Sequence, residues 1–178
     1  MNFKIISLLT IVFLFLGCST KVNKYKTSSD ILKEQALTLT QKAVIKDDKT
    51  IKAFAIVTYI NEINHEFVEK NEEVEKFVVS IHIPGDEDQK LYKKVDFRIN
   101  GKKEYTVTSL ANDDALLKIL PAVTLWSKYF LVEAPKDYKR RGVSFQVFVS
   151  NLSSSNMSFA ANYENLPTSR TMGFHTKQ

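Results

Sequence analysis

Val143, Phe145, Val147 and Val149 alternate with Ser144, Gln146, Phe148 and Ser150. Successive side chains on a strand point to opposite faces, so an unbroken period of two admits a strand with one buried face. It excludes a helix, whose repeat is about 3.6 residues. The same rhythm recurs along the chain. Leu37, Leu39, Ala43 and Ile45 alternate with Thr38, Thr40, Lys42 and Val44, after a short turn or helix over Ile31–Gln35 that Asp30 can cap. Ile51–Ile60 is apolar on both faces, the mark of an interior strand, and Lys46-Asp47-Asp48-Lys49 before it reads as the turn of a hairpin. Phe77, Val79, Ile81 and Ile83 alternate with Val78, Ser80 and His82 until Pro84-Gly85 ends the run.

Leu91–Ile99 and Lys102–Leu110 flank Asn100-Gly101, a hairpin signal. A three-residue loop over Ile99–Gly101 pairs Val95 with Tyr105, whereas a two-residue turn sets Phe97 against Glu104. The first register is predicted, because it pairs apolar with apolar and gives Gly101 the left-handed position. Asn112-Asp113-Asp114 reads as the cap of one or two helical turns through Leu120. Trp126–Val132 is predicted as a strand, with Trp126, Tyr129 and Phe130 in the core rather than on a glycan-binding platform. Met157, Phe159, Ala161 and Tyr163 supply the last strand after a Ser-rich turn.

About eight short strands with turn signals between them, and one short helical segment, predict an all-β chain: an antiparallel β-sandwich, immunoglobulin-like in the first instance. A small barrel able to hold an apolar ligand is the alternative. Glu62–Glu75, rich in glutamate, reads as a charged connection or a ragged edge strand.

The start of the chain is of another kind. Lys4 precedes an apolar run from Ile5 to Leu16, then Gly17-Cys18-Ser19. A bilayer span needs about 20 apolar residues, so this run is too short, and its layout is that of a secretory signal. Cys18 is the sole cysteine. The stretch resembles the lipobox of bacterial lipoproteins, in which a dedicated signal peptidase cuts before a cysteine that carries a diacylglyceryl group. The family pattern has Leu three residues before the cysteine; here Phe15 stands there, between Leu14 and Leu16. The resemblance implies cleavage after residue 17, lipidation of Cys18 and stable anchoring through two or three acyl chains. Ser19, where an Asp would favour inner-membrane retention, implies the outer membrane.

The expected organisation is a signal peptide over 1–17, a lipidated cysteine and polar tether over 18–30, a sandwich domain over 31–166 and a loose tail over 167–178. Removing residues 1–17 deletes Lys4 alone among the charges, taking the net charge from +5 to +4. Charges of both signs are interspersed, which is no nucleic-acid footprint. About 160 residues remain, enough for one domain with a real core. With Cys18 acylated, no disulfide can form within the chain.

No catalytic constellation is legible. Gly142-Val143-Ser144-Phe145-Gln146 lacks the closing glycine of a nucleophile elbow, and His65, His82 and His175 are far apart. Asp86, Glu87 and Asp88 lack the spacing of a calcium loop. No cofactor and no metal is therefore expected. The basic loop with Lys136, Lys139, Arg140 and Arg141 is the candidate interaction surface, although a solvated turn explains it as well. The expectation is a non-enzymatic, lipid-anchored envelope protein with an envelope protein as partner. The alternative is a periplasmic carrier of a lipid or other small apolar ligand.

Overall fold

The structure is a computed structural model and describes residues 28–63, 66, 68, 71 and 73–161. The leader, Cys18 and the tail over 167–178 lie outside the described residues. The class is all-β: the described residues form nine strands in two antiparallel sheets, with one α-helix and two short 3₁₀ turns. In chain order come α1 (Ser28–Thr38), β1 (Thr40–Asp47), β2 (Thr50–Tyr59), β3 (Val74–His82), β4 (Val95–Ile99), β5 (Thr106–Leu110), β6 (Lys128–Pro135), β7 (Gly142–Val149), β8 (Leu152–Ser153) and β9 (Met157–Ala160). The 3₁₀ turns are Tyr92–Lys94 and Ala115–Ile119.

The first sheet has the order β1-β2-β3-β6-β5. In the second, β7 is central, with β4 on one side and β8 and β9 on the other. Pairing along that second edge slips by one between Phe148↔Ser153 and Phe145↔Met157, so β8 and β9 form one strand row interrupted by a bulge. Ser154 sits buried in the interruption, where its backbone N–H reaches the Val147 carbonyl and its hydroxyl accepts the Val147 N–H.

The two sheets face each other across one core. Phe77 of β3 and Phe145 of β7 meet with ring centroids 4.7 Å apart, and Tyr59, Phe97 and Phe159 surround them. The clean alternation of β7 holds throughout: Val143, Phe145, Val147 and Val149 are all buried. A second apolar cluster forms on the outer face of the first sheet. There Val78 and Tyr129 pack under Ala36 of α1 and under Leu117, Ile119 and Leu120. β3 is thereby covered on both faces.

Four expectations are corrected. The helix runs to Thr38, past the expected Ile31–Gln35, and β1 begins at Thr40. Leu32, Ala36 and Leu39 are spaced four and three apart and dock on the outer cluster, a helical face that the alternation at Leu37 and Leu39 masked. Second, Asn100-Gly101 is a two-residue turn with both φ values positive, 54° and 78°, closed by Ile99↔Lys102. No ladder continues from it, because β4 pairs with β7 while β5 crosses to pair with β6. Val95 lies opposite Val149, not Tyr105. Third, Glu75 belongs to β3 and is completely buried, with its Oε2 accepting the Tyr59 hydroxyl proton at 2.6 Å. Fourth, β6 begins at Lys128, and Trp126 stands before it, 69 % exposed.

A candidate binding cleft at the Trp126 end

β3 ends at His82 and the β3–β6 ladder ends at Ile81↔Lys128. The chain on either side of this ladder end leaves as two loops, residues 83–92 and 111–127. Both are held in place by side-chain hydrogen bonds, some from within the loops and some from the sheet.

The first loop is pinned by Tyr92 and Asp86. The Tyr92 hydroxyl donates to the Ile81 carbonyl at 3.3 Å and accepts the Ile83 N–H at 3.1 Å. Asp86 Oδ2 accepts the N–H groups of Leu91 and Tyr92 at 2.9 and 3.2 Å. Burial pushes the Tyr92 phenol above its ordinary pKa; the Ile83 bond opposes that rise and the Asp86 charge adds to it. Left-handed backbone at Gly85 (φ 75°) and Gln89 (φ 56°) turns the loop back on itself. Lys128 closes it from the other side, reaching Gln89 Oε1 at 2.8 Å and lying over the Tyr92 ring at 5.9 Å.

The second loop is pinned by Tyr129, whose hydroxyl accepts the Thr124 N–H at 2.6 Å and donates to the Thr124 carbonyl at 3.1 Å. Thr124 and Ser127 share a hydroxyl–hydroxyl bond at 2.7 Å across the turn. Leu125 and Trp126 form the tip of that turn, 85 % and 69 % exposed. His82 fixes its base: Nδ1 lies 3.1 Å from the Trp126 carbonyl.

Between the two loops opens a cleft of about 420 Å³. Leu125 and Trp126 form one wall; Asp86, Glu87, Gln89, Asn112 and Lys128 supply polar groups. The apolar surface continues out of the cleft onto the sheet. His82 stacks on Phe54 with centroids 6.2 Å apart, and Phe54 pairs across strands with Val44. Phe54 and Val44 are each 40 % exposed. A second, apolar groove of about 250 Å³ lies on the outer face of the first sheet, lined by Leu37, Ile56, Val78 and Leu120.

The basic loop lies elsewhere. Lys136, Lys139, Arg140 and Arg141 follow the far end of β6, eight residues and so about 26 Å from the cleft. That loop winds around Asp137, which accepts the Lys139 N–H at 3.3 Å and pairs with Arg140 at 3.4 Å, while Lys136 donates its backbone N–H to the Glu73 carbonyl at 2.9 Å. Asp88 is paired with Lys90 at 2.8 Å, and Asp114 caps its 3₁₀ turn by accepting the Leu116 N–H at 2.9 Å. Among the described residues no three of His, Cys, Asp and Glu gather as a metal-binding group. His65 and His175 lie outside the described residues.

The sequence reading placed Trp126 in the core and so missed the cleft. Thr124 and Ser127, three apart around Leu125-Trp126, were the legible sign of a turn. Comparison with family models, with curated proteins and with solved structures returns no match.

Proposed function

We propose that this chain is a lipid-anchored, non-enzymatic cell-envelope module. Its domain is an immunoglobulin-like sandwich that holds another envelope component at the Trp126 end. The lipobox-like stretch at Cys18 supports the anchor and, through Ser19, an outer-membrane location. Strand order supports the fold: β2-β3-β6-β5 facing β4-β7-β8/β9 is the A-B-E-D and C-F-G arrangement, with β1 added beside the first strand. In antibody domains a disulfide joins strands B and F; here Phe77 and Phe145 meet at the equivalent strands.

The observation that carries the interaction half is the set of exposed apolar side chains at this end, Val44 and Phe54 on the sheet and Trp126 and Leu125 on the loop, which His82 bridges by stacking on Phe54 and reaching the Trp126 carbonyl. Exposed apolar patches of this kind mark binding sites rather than scattered surface residues. It favours this end over the basic loop, whose Arg140 is engaged with Asp137. The carrier alternative draws no comparable support. Aromatic rings fill the space between the sheets around Phe77, and the outer groove of about 250 Å³ falls below the roughly 300–1,000 Å³ of small-molecule pockets.

The test places a photo-reactive residue at position 54 or at position 139 of the full chain in its own envelope. Adducts are expected from 54 and not from 139, and Cys18→Ser is expected to abolish lipid labelling and membrane partitioning. Adducts from 139 alone, or a Cys18→Ser chain that is still lipid-labelled, would overturn the corresponding half.

A further inference from the structure

The chemistry of the cleft goes one step further. Resting on the reading of the domain as a binding module, we propose that the Trp126 cleft binds a neutral oligosaccharide of hexose or N-acetylhexosamine units. A sugar ring offers two kinds of surface. One is a face of weakly positive C–H groups, which seeks the electron-rich face of an indole; the other is a rim of hydroxyls, which seeks carboxylates and amides. The cleft presents both: Trp126, the sole tryptophan, on one wall, with Asp86, Glu87 and the amides of Asn112 and Gln89 among its other lining groups.

Its volume of about 420 Å³ lies within the range of small-ligand sites. The site is also pre-organised, because Tyr129, His82, Asp86 and Tyr92 already hold both loops by the hydrogen bonds given above. Little ordering entropy is then left to oppose binding.

Charge selects the ligand further. Asp86 and Glu87 line the cleft and outnumber its one lysine, Lys128, two to one, so its carboxylate charge prevails. Acidic sugars and the headgroups of anionic lipids are repelled by those carboxylates, which leaves neutral sugars as the class that fits.

The experiment uses the full-length chain, extracted in a polyoxyethylene detergent that carries no sugar headgroup. Chitotriose, cellotriose and maltotriose are titrated separately while the emission of Trp126 is followed. At least one is expected to give a saturable blue shift. By calorimetry, Trp126→Ala is expected to weaken that ligand at least about tenfold, Trp126→Phe to retain part of the affinity, and Asn112→Ala to weaken it several-fold, all with unchanged circular dichroism. The proposal falls if none of the three sugars shifts the emission. It also falls if Trp126→Ala binds as tightly as the wild type, or if phosphatidylglycerol vesicles shift the emission while the sugars do not. Protein adducts from position 54 combined with no sugar binding overturn the saccharide alone and leave the interaction module standing.

Discussion

His82 Nδ1 stands 3.1 Å from the backbone carbonyl of Trp126, and the same imidazole stacks on Phe54 at 6.2 Å. One side chain at the end of β3 therefore joins the exposed sheet face to the loop that displays the tryptophan. His82→Ala removes that tie. Unfolding free energy should fall by about 1 kcal/mol, the worth of one hydrogen bond. Quenching of Trp126 by acrylamide should rise, and His82→Gln, which keeps a donor, should restore part of the protection. Because Trp126 is the sole tryptophan, the fluorescence reports on this loop alone.

Tyr59 and Glu75 form a polar pair inside the core, both fully buried, with 2.6 Å between hydroxyl and carboxylate. Tyr59→Phe leaves the shape intact but removes a donor from a buried acceptor. It should cost about 1–3 kcal/mol in urea unfolding. Combined with Glu75→Gln in a double-mutant cycle, it should show a coupling of about 0.5 kcal/mol or more. A coupling near zero would mean the bond carries no stability.

Asn100 holds the crossover. At φ 54° it is left-handed; its N–H donates to the Ser144 carbonyl at 2.8 Å and its Oδ1 accepts the Ser144 N–H at 3.0 Å. Asn100→Gly keeps the backbone and loses the side-chain bond, for about 1 kcal/mol. Asn100→Ala loses the bond and adds the left-handed penalty of about 1–2 kcal/mol. The order wild type, Gly, Ala in unfolding midpoint checks this.

Asp96 gives the fold an acid-sensitive fastening. Lys103, then the Tyr105 hydroxyl, hold its carboxyl below the ordinary value of 3.8, with the Phe97 N–H helping and partial burial opposing. A depressed folded pKa means stability that is present above the unfolded value and lost as pH falls through the folded one. The advantage of wild type over Asp96→Asn should thus be constant from about pH 7 to pH 5 and shrink below about pH 4. Urea unfolding across that range measures it.

Gly142 opens β7 opposite Ala160 of β9, and a Cβ there would come within 2.8 Å of the Phe159 carbonyl oxygen. Gly142→Ala must push β9 away, at about 1–3 kcal/mol. The thermal midpoint should fall, and amide exchange in residues 157–160 should quicken before that in β3.

The strand content was legible because alternation is a local signal. β7 shows its buried face in the residues themselves, and Asp114 announces its cap by the apolar run that follows. Strand ends and strand partners were not legible in the same way. Trp126 shares the parity of Phe130 and Val132, so by alternation it points inward. It stands in water because the ladder stops at Ile81↔Lys128 and Tyr129↔Leu110, leaving no neighbour to carry the sheet further. Glu75 looked solvated because it ends a run of glutamates; in the fold the Tyr59 hydroxyl of the neighbouring strand meets its carboxylate inside the core. Tyr105 pairs with no residue of β4, yet its hydroxyl donates to Asp96 across the crossover.

The sequence by itself determined the class of fold, the approximate course of most strands and the lipobox-like start. These follow from period, turn chemistry and spacing within a few residues of one another. Only the tertiary structure decided which sheet each strand joins, and hence that Trp126 leaves the core to line a cleft. A strand continues only where another strand offers it hydrogen bonds, and that offer comes from residues far away in the chain.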